Sequence, residues 1–320
     1  MSDTDNSCCA PSAGRTPSGN GKNVFKRVHD GSTSGMVKLE GGSFLMGTDY
    51  PKGFPDDGEG PVRDVQVDPF WIDANAVTNA QFRDFVKATR YKTDAEKFGW
   101  SFVFWLLLPA YKRSPIVNRG ETVLGLEWWY RVDGASWKHP TGPDSNIRKI
   151  PDLPAIHISY FDALAYCAWA GKRLPTEAEW EYAGRGGLDQ AIFNWGDELT
   201  PGGKHMCNIW QGKFPEENTA EDGYVGPAPV FAFDPNGYGL YNMAGNVWEW
   251  CHDAWSPDYH FDGPRDNPTG PPEDSERHVM KGGSYLCHDS YCNRYRAGAR
   301  TSNTTDSSTG NLGFRCVRDV

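Results

Sequence analysis

Three stretches of the chain place apolar residues at helical spacing, and each begins with a side chain that can cap a helix. Thr78, Ser159 and Thr176 are each followed three residues later by an amide or acidic side chain, as in a capping box. Gly171 stands where the second helix would end. The apolar faces comprise Phe82, Phe85 and Val86 in the first helix, Leu164, Ala165, Ala168 and Trp169 in the second, and Trp180 in the third. The pattern predicts three helices.

Shorter apolar patterns predict strands. Apolar and polar residues alternate from Met36 to Met46 around a Gly-Gly pair, which predicts a β-hairpin. Residues 62–67 predict a further strand, and an acidic loop rich in Pro and Gly, residues 51–61, precedes it. The longest apolar run, Phe102–Leu108, is far shorter than the ~20 residues that span a bilayer, so we expect no membrane span.

The chain changes character after Gly184, where Gly, Pro, Asn, Asp and Trp dominate and no helical period persists. A long irregular segment must be stabilised by interactions other than the backbone hydrogen bonds of helices and sheets. Backbone carbonyls and Asn, Asp and Glu oxygens suit Ca²⁺, so bound calcium is the expected device. The fold class we expect is mixed α+β with little regular secondary structure.

Residues 1–33 hold almost no apolar side chains, so we predict a disordered tail followed by one domain over residues 34–320. The tail lacks the apolar core of a secretory signal, which predicts that the protein stays in the compartment where it is made. A net charge of −10 argues against nucleic-acid binding, which depends on neutralising phosphates. The chain also lacks a basic patch that would bind a membrane surface.

The strongest chemical signal is a pair of cysteines five residues apart, Cys287 and Cys292. From Arg277 to Arg300 there are five Lys or Arg residues and one Asp, and nearby cations favour thiolate over thiol. Two thiolates on one loop could close a redox disulfide, bind a soft metal such as Cu(I), or supply half of a zinc site. Spacing alone leaves these alternatives open, together with inert core cysteines.

The segment Gly282–Arg296, GGSYLCHDSYCNRYR, resembles the active-site segment of the formylglycine-generating enzymes. Two further runs, Gly171–Tyr182 and Gly245–Trp250, are typical of the wider superfamily. The resemblance covers most of the chain. Its remaining matches are Gly41–Gly47, Asn208–Gly212, Asn236–Asn242 and Asn311–Cys316.

This resemblance implies an enzyme that oxidises the cysteine of an unfolded sulfatase segment, Cys-x-Pro-x-Arg, to Cα-formylglycine with O₂ and Cu(I). Cys287 and Cys292 would hold Cu(I), and the substrate thiolate would join them as a third ligand. Ser284, Tyr291 and Asn311 match polar positions of the family's pocket. The implied fold is the family's own, related to C-type lectins. A soft bis-thiolate site fits this chemistry, because it keeps copper as Cu(I).

The resemblance also implies two structural calcium sites. One would use Asn208 and Asp222 with the carbonyls of Ile209 and Tyr224. The other would use the residues Asn242, Gly245, Val247 and Glu249, with Gly245 and Val247 contributing carbonyls. Without the resemblance, Asx-turns and solvated acids would explain the same residues.

The pattern of the remaining cysteines indicates whether the protein occupies an oxidising or a reducing compartment. Cys167 and Cys316 match a disulfide of secretory-pathway members, whereas a second disulfide of those members falls on Gly184 and Ala297 here. The loss of that pair predicts a reducing compartment, and hence a prokaryotic cytoplasmic enzyme in which the Cys167–Cys316 bridge is in doubt. Two cysteines in aromatic surroundings, at positions 207 and 251, are expected to be buried and inert. We expect a monomer.

Four features have more than one interpretation. His288 could tune the copper site, touch substrate or face solvent. The acidic residues 56–59 could meet the substrate's Arg or form a solvated loop. At least one tryptophan among Trp128, Trp129, Trp137 and Trp248 is expected to line a peptide cleft. The tail sequence Cys9–Arg15, which follows Cys8, has Cys-x-Pro but no Arg at the fifth place, so a self-substrate or autoinhibitory role is a hypothesis.

Three rival functions remain. A catalytically silent, sulfatase- or peptide-binding member of the family would lack the cysteine pair, which is present here. An iron-dependent sulfoxide synthase of the same fold needs a further helical domain that residues 1–33 are too few to form. A copper-independent dithiol oxidase would use the same two cysteines, and only restoration of activity by Cu(I) separates it from the copper enzyme.

Overall fold

The computed structural model describes residues 10–12, 29, 31–113, 122–123, 125–259, 263–271 and 275–320. Their four α-helices are α1 Asn79–Thr89, α2 Asp94–Phe98, α3 Tyr160–Ala170 and α4 Glu177–Arg185. The capping boxes predicted at Thr78, Ser159 and Thr176 all form, and Gly171 ends α3 in the left-handed conformation. The three helices predicted from the sequence are therefore confirmed, and α2 is an additional short one.

The strands of the described residues are short and form five small sheets. The first seven are β1 Met36–Leu39, β2 Gly42–Met46, β3 Arg63–Val67, β4 Phe70–Asp73, β5 Trp100–Phe104, β6 Thr122–Val123 and β7 Leu126–Asp133. The rest are β8 Gly212–Lys213, β9 Glu217–Asn218, β10 Trp248–Ala254, β11 Arg277–Lys281, β12 Thr301–Thr304, β13 Leu312–Gly313 and β14 Val317–Asp319. The sheet orders are β1-β4-β14, β12-β11-β10-β13, β2-β3, β5-β7-β6 and β8-β9.

The hairpin predicted over residues 36–46 is wrong, although both of its strands exist. β1 pairs with β4, and β2 pairs with β3. Gly41 runs so close to β3 that a Cβ there would lie 2.3 Å from the Val67 carbonyl oxygen. The Gly-Gly pair therefore passes the chain from one sheet to another. The strand predicted at residues 62–67 is confirmed as β3.

The segment after α4 is as irregular as its composition predicts. Between Gly186 and Val247 the described residues form two two-residue strands, β8 and β9, and one 3₁₀ turn. Buried aromatic side chains hold this segment against the sheets. Trp210, for example, is almost fully buried.

The four-stranded sheet β12-β11-β10-β13 carries the cysteine segment. The chain leaves β11 at Lys281, runs through Gly282–Arg300 and returns as β12. β13, which follows Asn311, pairs in parallel with β10. This pairing brings the C-terminal part of the chain back to the sheet that carries Gly282–Arg300. No helix among the described residues is long and apolar enough to cross a membrane.

Most of the predicted N-terminal tail, residues 1–33 with Cys8 and Cys9, lies outside the described residues. Residues 10–12 of this predicted tail are described, and they pack against the folded domain. Ala10 is completely buried, and the side chain of Asn303 donates a hydrogen bond to its carbonyl oxygen.

Candidate active site

The structure brings the two cysteines of the 282–296 segment together in the interior. Their Sγ atoms are 3.2 Å apart, and both residues are at most 1% exposed. Cys292 is disulfide-bonded. The other four described cysteines are free thiols.

A tight turn fixes this geometry. The Cys287 amide donates to the Ser284 carbonyl oxygen at 2.9 Å, and the Ser284 amide donates to Cys287 Sγ at 3.3 Å. The Cys292 amide donates to the His288 carbonyl oxygen at 2.6 Å. Backbone bonds thus position both sulfurs, so the pair is preorganised and does not depend on flexible side chains.

A buried polar chain adjoins Cys287. The Asn311 amide donates to Ser284 Oγ at 3.0 Å, and the Thr309 hydroxyl donates to Asn311 Oδ1 at 2.6 Å. All three side chains are completely buried. Ser284 and Asn311, both predicted site residues, therefore lie in direct contact although they are 27 positions apart.

Aromatic rings form one wall beside the cysteines. Tyr291 stacks on Phe214 with centroids 4.5 Å apart, and Trp128 meets Tyr291 edge-on at 5.1 Å. Of the four tryptophans considered for a cleft, Trp128 is the partly exposed one, and the other three are core residues. Phe214 belongs to the irregular segment, where no periodicity singles it out, and the sequence analysis missed it.

The basic residues around the cysteines are paired with carboxylates. Arg294 Nε lies 2.5 Å from Asp57, and Arg296 makes two bonds to Glu59 at 2.6 and 2.7 Å. Burial raises the pKa of Asp57, and its contact with Arg294 opposes that shift. The solvated interpretation of the acidic loop is wrong for these two acids, because they neutralise arginines of this chain.

This pairing changes the electrostatics expected from the sequence. The local excess of positive charge is largely balanced, so it contributes less to thiolate stability than a free cationic patch would. One direct contact remains, since Arg294 Nη1 lies 3.9 Å from Cys292 Sγ. His288 is about one-quarter exposed and bonds through Nδ1 to the hydroxyl of Ser290 in its own loop.

The cysteines predicted to be inert are buried. Burial raises the pKa of the Cys207 thiol and that of the Cys251 thiol. Cys167 and Cys316 are free, with their Sγ atoms 3.6 Å apart. Burial and the neighbouring Cys167 sulfur raise the pKa of Cys316, which keeps this thiol in the unreactive protonated form.

The four residues of the first predicted calcium site lie together. Asp222 accepts the Ile209 amide on one oxygen at 3.1 Å and the Tyr224 amide on the other at 2.9 Å. Asn208 is completely buried, and its Oδ1 atom has no hydrogen-bond partner. The Gln211 amide nitrogen contacts both Asp222 and the Ile209 carbonyl. The orphaned amide oxygen of Asn208 fits a hard cation, whereas the Gln211 amide occupies Asp222 and the Ile209 carbonyl and would have to move.

Only some of the oxygens of the second predicted calcium site are available to a cation. Asn242 adopts a positive φ of 50°, and its buried Oδ1 atom also has no partner. Gly245 and Val247 follow it in the tight loop that enters β10. Glu249, however, already holds Arg315 through both carboxylate oxygens at 2.6 and 2.8 Å. Asn242 and the loop carbonyls therefore fit a cation, whereas Arg315 competes for Glu249.

Among the residues that the structure describes, no three His, Cys, Asp or Glu side chains cluster closely enough to hold a metal.

Comparison with known proteins places these observations in a family. The family described as "Sulfatase-modifying factor enzyme 1-like domain" matches residues 21–320. The chain is 59% identical over 289 residues to the formylglycine-generating enzyme of Thermomonospora curvata, an alignment that covers 89% of this chain and 93% of that protein. It is 46% identical over 291 residues to the inactive C-alpha-formylglycine-generating enzyme 2 of Bos taurus, covering 90% and 89% of the two chains.

A solved structure supports the fold. PvdO from Pseudomonas aeruginosa superimposes with a TM-score of 0.65 and 27% identity, over 89% of this chain and 94% of that one. The mixed architecture with little regular secondary structure is thus shared beyond the relatives of high sequence identity.

Proposed function

Because the chain belongs to the sulfatase-modifying factor enzyme 1-like family and is similar to a formylglycine-generating enzyme over most of its length, we propose that it oxidises a sulfatase cysteine to Cα-formylglycine. The observation that carries the proposal is the buried pair Cys287 and Cys292, with sulfurs 3.2 Å apart. The substrate is an extended Cys-x-Pro-x-Arg segment of an unfolded sulfatase, and O₂ is the oxidant.

Cys287 and Cys292, once both are reduced, would hold Cu(I). Two soft thiolates in a buried pocket are a donor set that this ion prefers, and the bound ion would supply affinity for a third sulfur and for O₂. The protein contributes preorganisation, because backbone amides fix the turn that carries both sulfurs. Free Cys167 and Cys316 agree with a reducing, cytoplasmic compartment.

The surrounding residues orient the peptide. Ser284 and Asn311 form a buried hydrogen-bonded pair beside Cys287, which offers polar contacts close to the reacting carbon. Tyr291 and Trp128 give an aromatic surface for the apolar proline ring of the substrate. The overall reaction balances when the substrate cysteine supplies two electrons to O₂ and two molecules of an external thiol together supply two more, with H₂S, one water and the disulfide of the external thiol as the other products.

The test is mass spectrometry of a Leu-Cys-x-Pro-x-Arg peptide after incubation with the protein, Cu(I), a thiol reductant and O₂. We expect a loss of about 18 Da, which sulfenic, sulfinic and sulfonic acids cannot produce because each adds oxygen. Omitting copper is the control. An unchanged peptide mass with folded, copper-loaded protein contradicts the proposal and favours a silent peptide-binding relative, to be measured by peptide affinity.

We further propose calcium at the two sites described above. Removing it with a chelator is expected to lower the melting temperature by ~5–10 °C, if calcium at about a hundredfold excess over its Kd contributes roughly 2.7 kcal/mol. Asn208→Ala should abolish part of this response. Asn194→Ala is the matched control, because Asn194 is also buried and also has an orphaned Oδ1 atom. An identical melting curve with and without chelator contradicts the calcium sites.

A further inference from the structure

A completely buried histidine lies between two parts of the chain that adjoin the candidate active site. His157 precedes α3, and its side chain has no contact with solvent. Its backbone adopts a φ of 61°, in the left-handed region that few residues other than glycine occupy. Such a conformation persists only where the surrounding structure holds it, and it is concentrated at functional sites. The conformation of His157 therefore points to a role beyond packing.

Both nitrogens of the His157 ring have polar partners. Nε2 lies 2.9 Å from the carbonyl oxygen of Pro140, which can only accept a hydrogen bond, so Nε2 carries a proton. Nδ1 lies 2.8 Å from the hydroxyl oxygen of Ser101 on β5. Because hydrogen bonds at both nitrogens fix the orientation of the ring, it holds the loop around Pro140 and strand β5 at a fixed separation.

The hydroxyl of Ser101 extends this connection to the segment before β13. Ser101 Oγ donates to the Ser308 carbonyl oxygen at 2.8 Å and lies 2.9 Å from Ser308 Oγ. The His157 amide also donates to the Thr309 carbonyl oxygen at 2.9 Å. All of these side chains are completely buried, so bulk solvent does not compete for the bonds. His157 thus fixes the segment through its ring and through its backbone.

The same segment carries a predicted site residue. The Thr309 hydroxyl donates to Asn311 Oδ1 at 2.6 Å, and the Asn311 amide donates to Ser284 Oγ at 3.0 Å. The Ser284 amide in turn donates to Cys287 Sγ. A continuous series of covalent bonds and buried hydrogen bonds therefore connects the His157 ring with the residues beside the cysteine pair. A shift of the segment would move the Asn311 amide with it.

We propose that His157 is a positioning residue for peptide oxidation, because it orients Ser101 and thereby holds the segment that carries Asn311. The correct placement of this segment keeps the Asn311 amide on Ser284, close to the reacting carbon. This inference rests on the proposed function, since it assigns a further residue to the same site. The turn that carries both cysteines has backbone hydrogen bonds of its own, so its affinity for Cu(I) does not depend on His157.

Two substitutions separate the roles of the two ring nitrogens. The side-chain amide of Asn reaches the position of Nδ1, whereas that of Gln reaches the position of Nε2. His157→Asn can therefore keep the bond to Ser101, and His157→Gln can keep the bond to Pro140. We expect His157→Asn to retain kcat within about threefold, and His157→Gln to lower kcat about 30-fold with an unchanged KM for the Leu-Cys-x-Pro-x-Arg peptide.

Two more variants complete the experiment. Ser101→Ala removes a single hydroxyl and should lower kcat as His157→Gln does, and the combined variant should be no worse than either one, because both break the same connection. His278→Gln is the matched control. The His278 ring bonds to the carbonyl oxygen of His252 and stacks on Tyr160, and its replacement should change kcat by less than about twofold.

The affinity of each reduced protein for Cu(I), measured by competition with a chromogenic chelator, is the second readout and should be equal in all variants. Equal losses of kcat in His157→Asn and His157→Gln overturn the proposal, because the ring would then only support the fold. A Cu(I) affinity that falls together with kcat also overturns it, since the effect would then pass through the cysteine turn.

A structural readout keeps this proposal separate from the proposed function. If the wild type does not oxidise the peptide, the enzyme assignment fails, and crystal structures of the two His157 variants and of Ser101→Ala still test the connection. An Asn311–Ser284 contact that stays near 3.0 Å in His157→Asn and lengthens in His157→Gln and Ser101→Ala supports the positioning role. The same contact unchanged in all three variants overturns it.

Discussion

Cys287→Ser and Cys292→Ser are each expected to lower kcat/KM for peptide oxidation by roughly 10³-fold, equivalent to ~4 kcal/mol of lost transition-state stabilisation. Serine preserves the size of the side chain but replaces a soft thiolate by a hard hydroxyl that stays protonated at neutral pH. The double variant should be no worse than either single one, because the two sulfurs act as one unit. Initial rates with a Leu-Cys-x-Pro-x-Arg peptide at saturating Cu(I) provide the measurement.

Cys207→Ser is the matched control for this pair. Cys207 is buried like the other two and lies near Cys287, but its thiol is held protonated by burial. Its replacement should change kcat/KM by less than about threefold. A cysteine variant of the pair that keeps wild-type activity would exclude the two-thiolate site. If Cys207→Ser fails as severely as the others, general disruption of the core explains all three.

Arg315→Met is expected to destabilise the protein by about 3–5 kcal/mol, because it leaves Glu249 as a buried carboxylate without its cation. Both side chains are at most 2% exposed. Arg315 also donates to the backbone carbonyl oxygens of Asp73, Ala74 and Tyr241, so one side chain fastens two separate segments of the chain. The free energy of unfolding from denaturant titration measures the loss.

Two further variants show whether the loss of stability in Arg315→Met comes from the unpaired buried charge. Glu249→Gln combined with Arg315→Met removes the unpaired charge and should recover part of the stability. Arg83→Met, on the exposed face of α1, breaks only a surface contact with Asp84 and should cost less than ~1 kcal/mol. If Arg315→Met and Arg83→Met have similar unfolding midpoints, the buried pair does not hold these segments together.

The helices could be predicted because their signals are local. Thr78, Ser159 and Thr176 bond to amides three residues away, so the sequence contains the whole motif. The prediction of a hairpin at residues 36–46 was wrong because strand pairing is not local. Alternation identifies the two strands, but the partners of β1 and β2 are set by packing against α4 and the sheets, which no short window of sequence contains.

In the candidate site too, local features could be predicted from the sequence and contacts between distant residues could not. Cys287 and Cys292 are five residues apart, so their meeting on one turn could be expected from the sequence. The pairing of Glu59 with Arg296 spans 237 positions, and each of these residues alone is typical of a solvated surface. The roles of Ser284 and Asn311 came from the resemblance, and the contact between their side chains adds a geometric reason for them.

The sheet β1-β4-β14 has a consequence for how the protein is made. β4 ends at Asp73 and lies between a strand of the first 40 residues and one of the last four. On the ribosome, about 245 further residues follow Ile72 before its partner Val317 is synthesised, which takes ~12–50 s at bacterial or eukaryotic elongation rates. During that time one edge of β4 is exposed and apolar, a condition in which chaperones bind nascent chains. Final closure of the domain therefore occurs after translation of its last strand, not progressively along the chain.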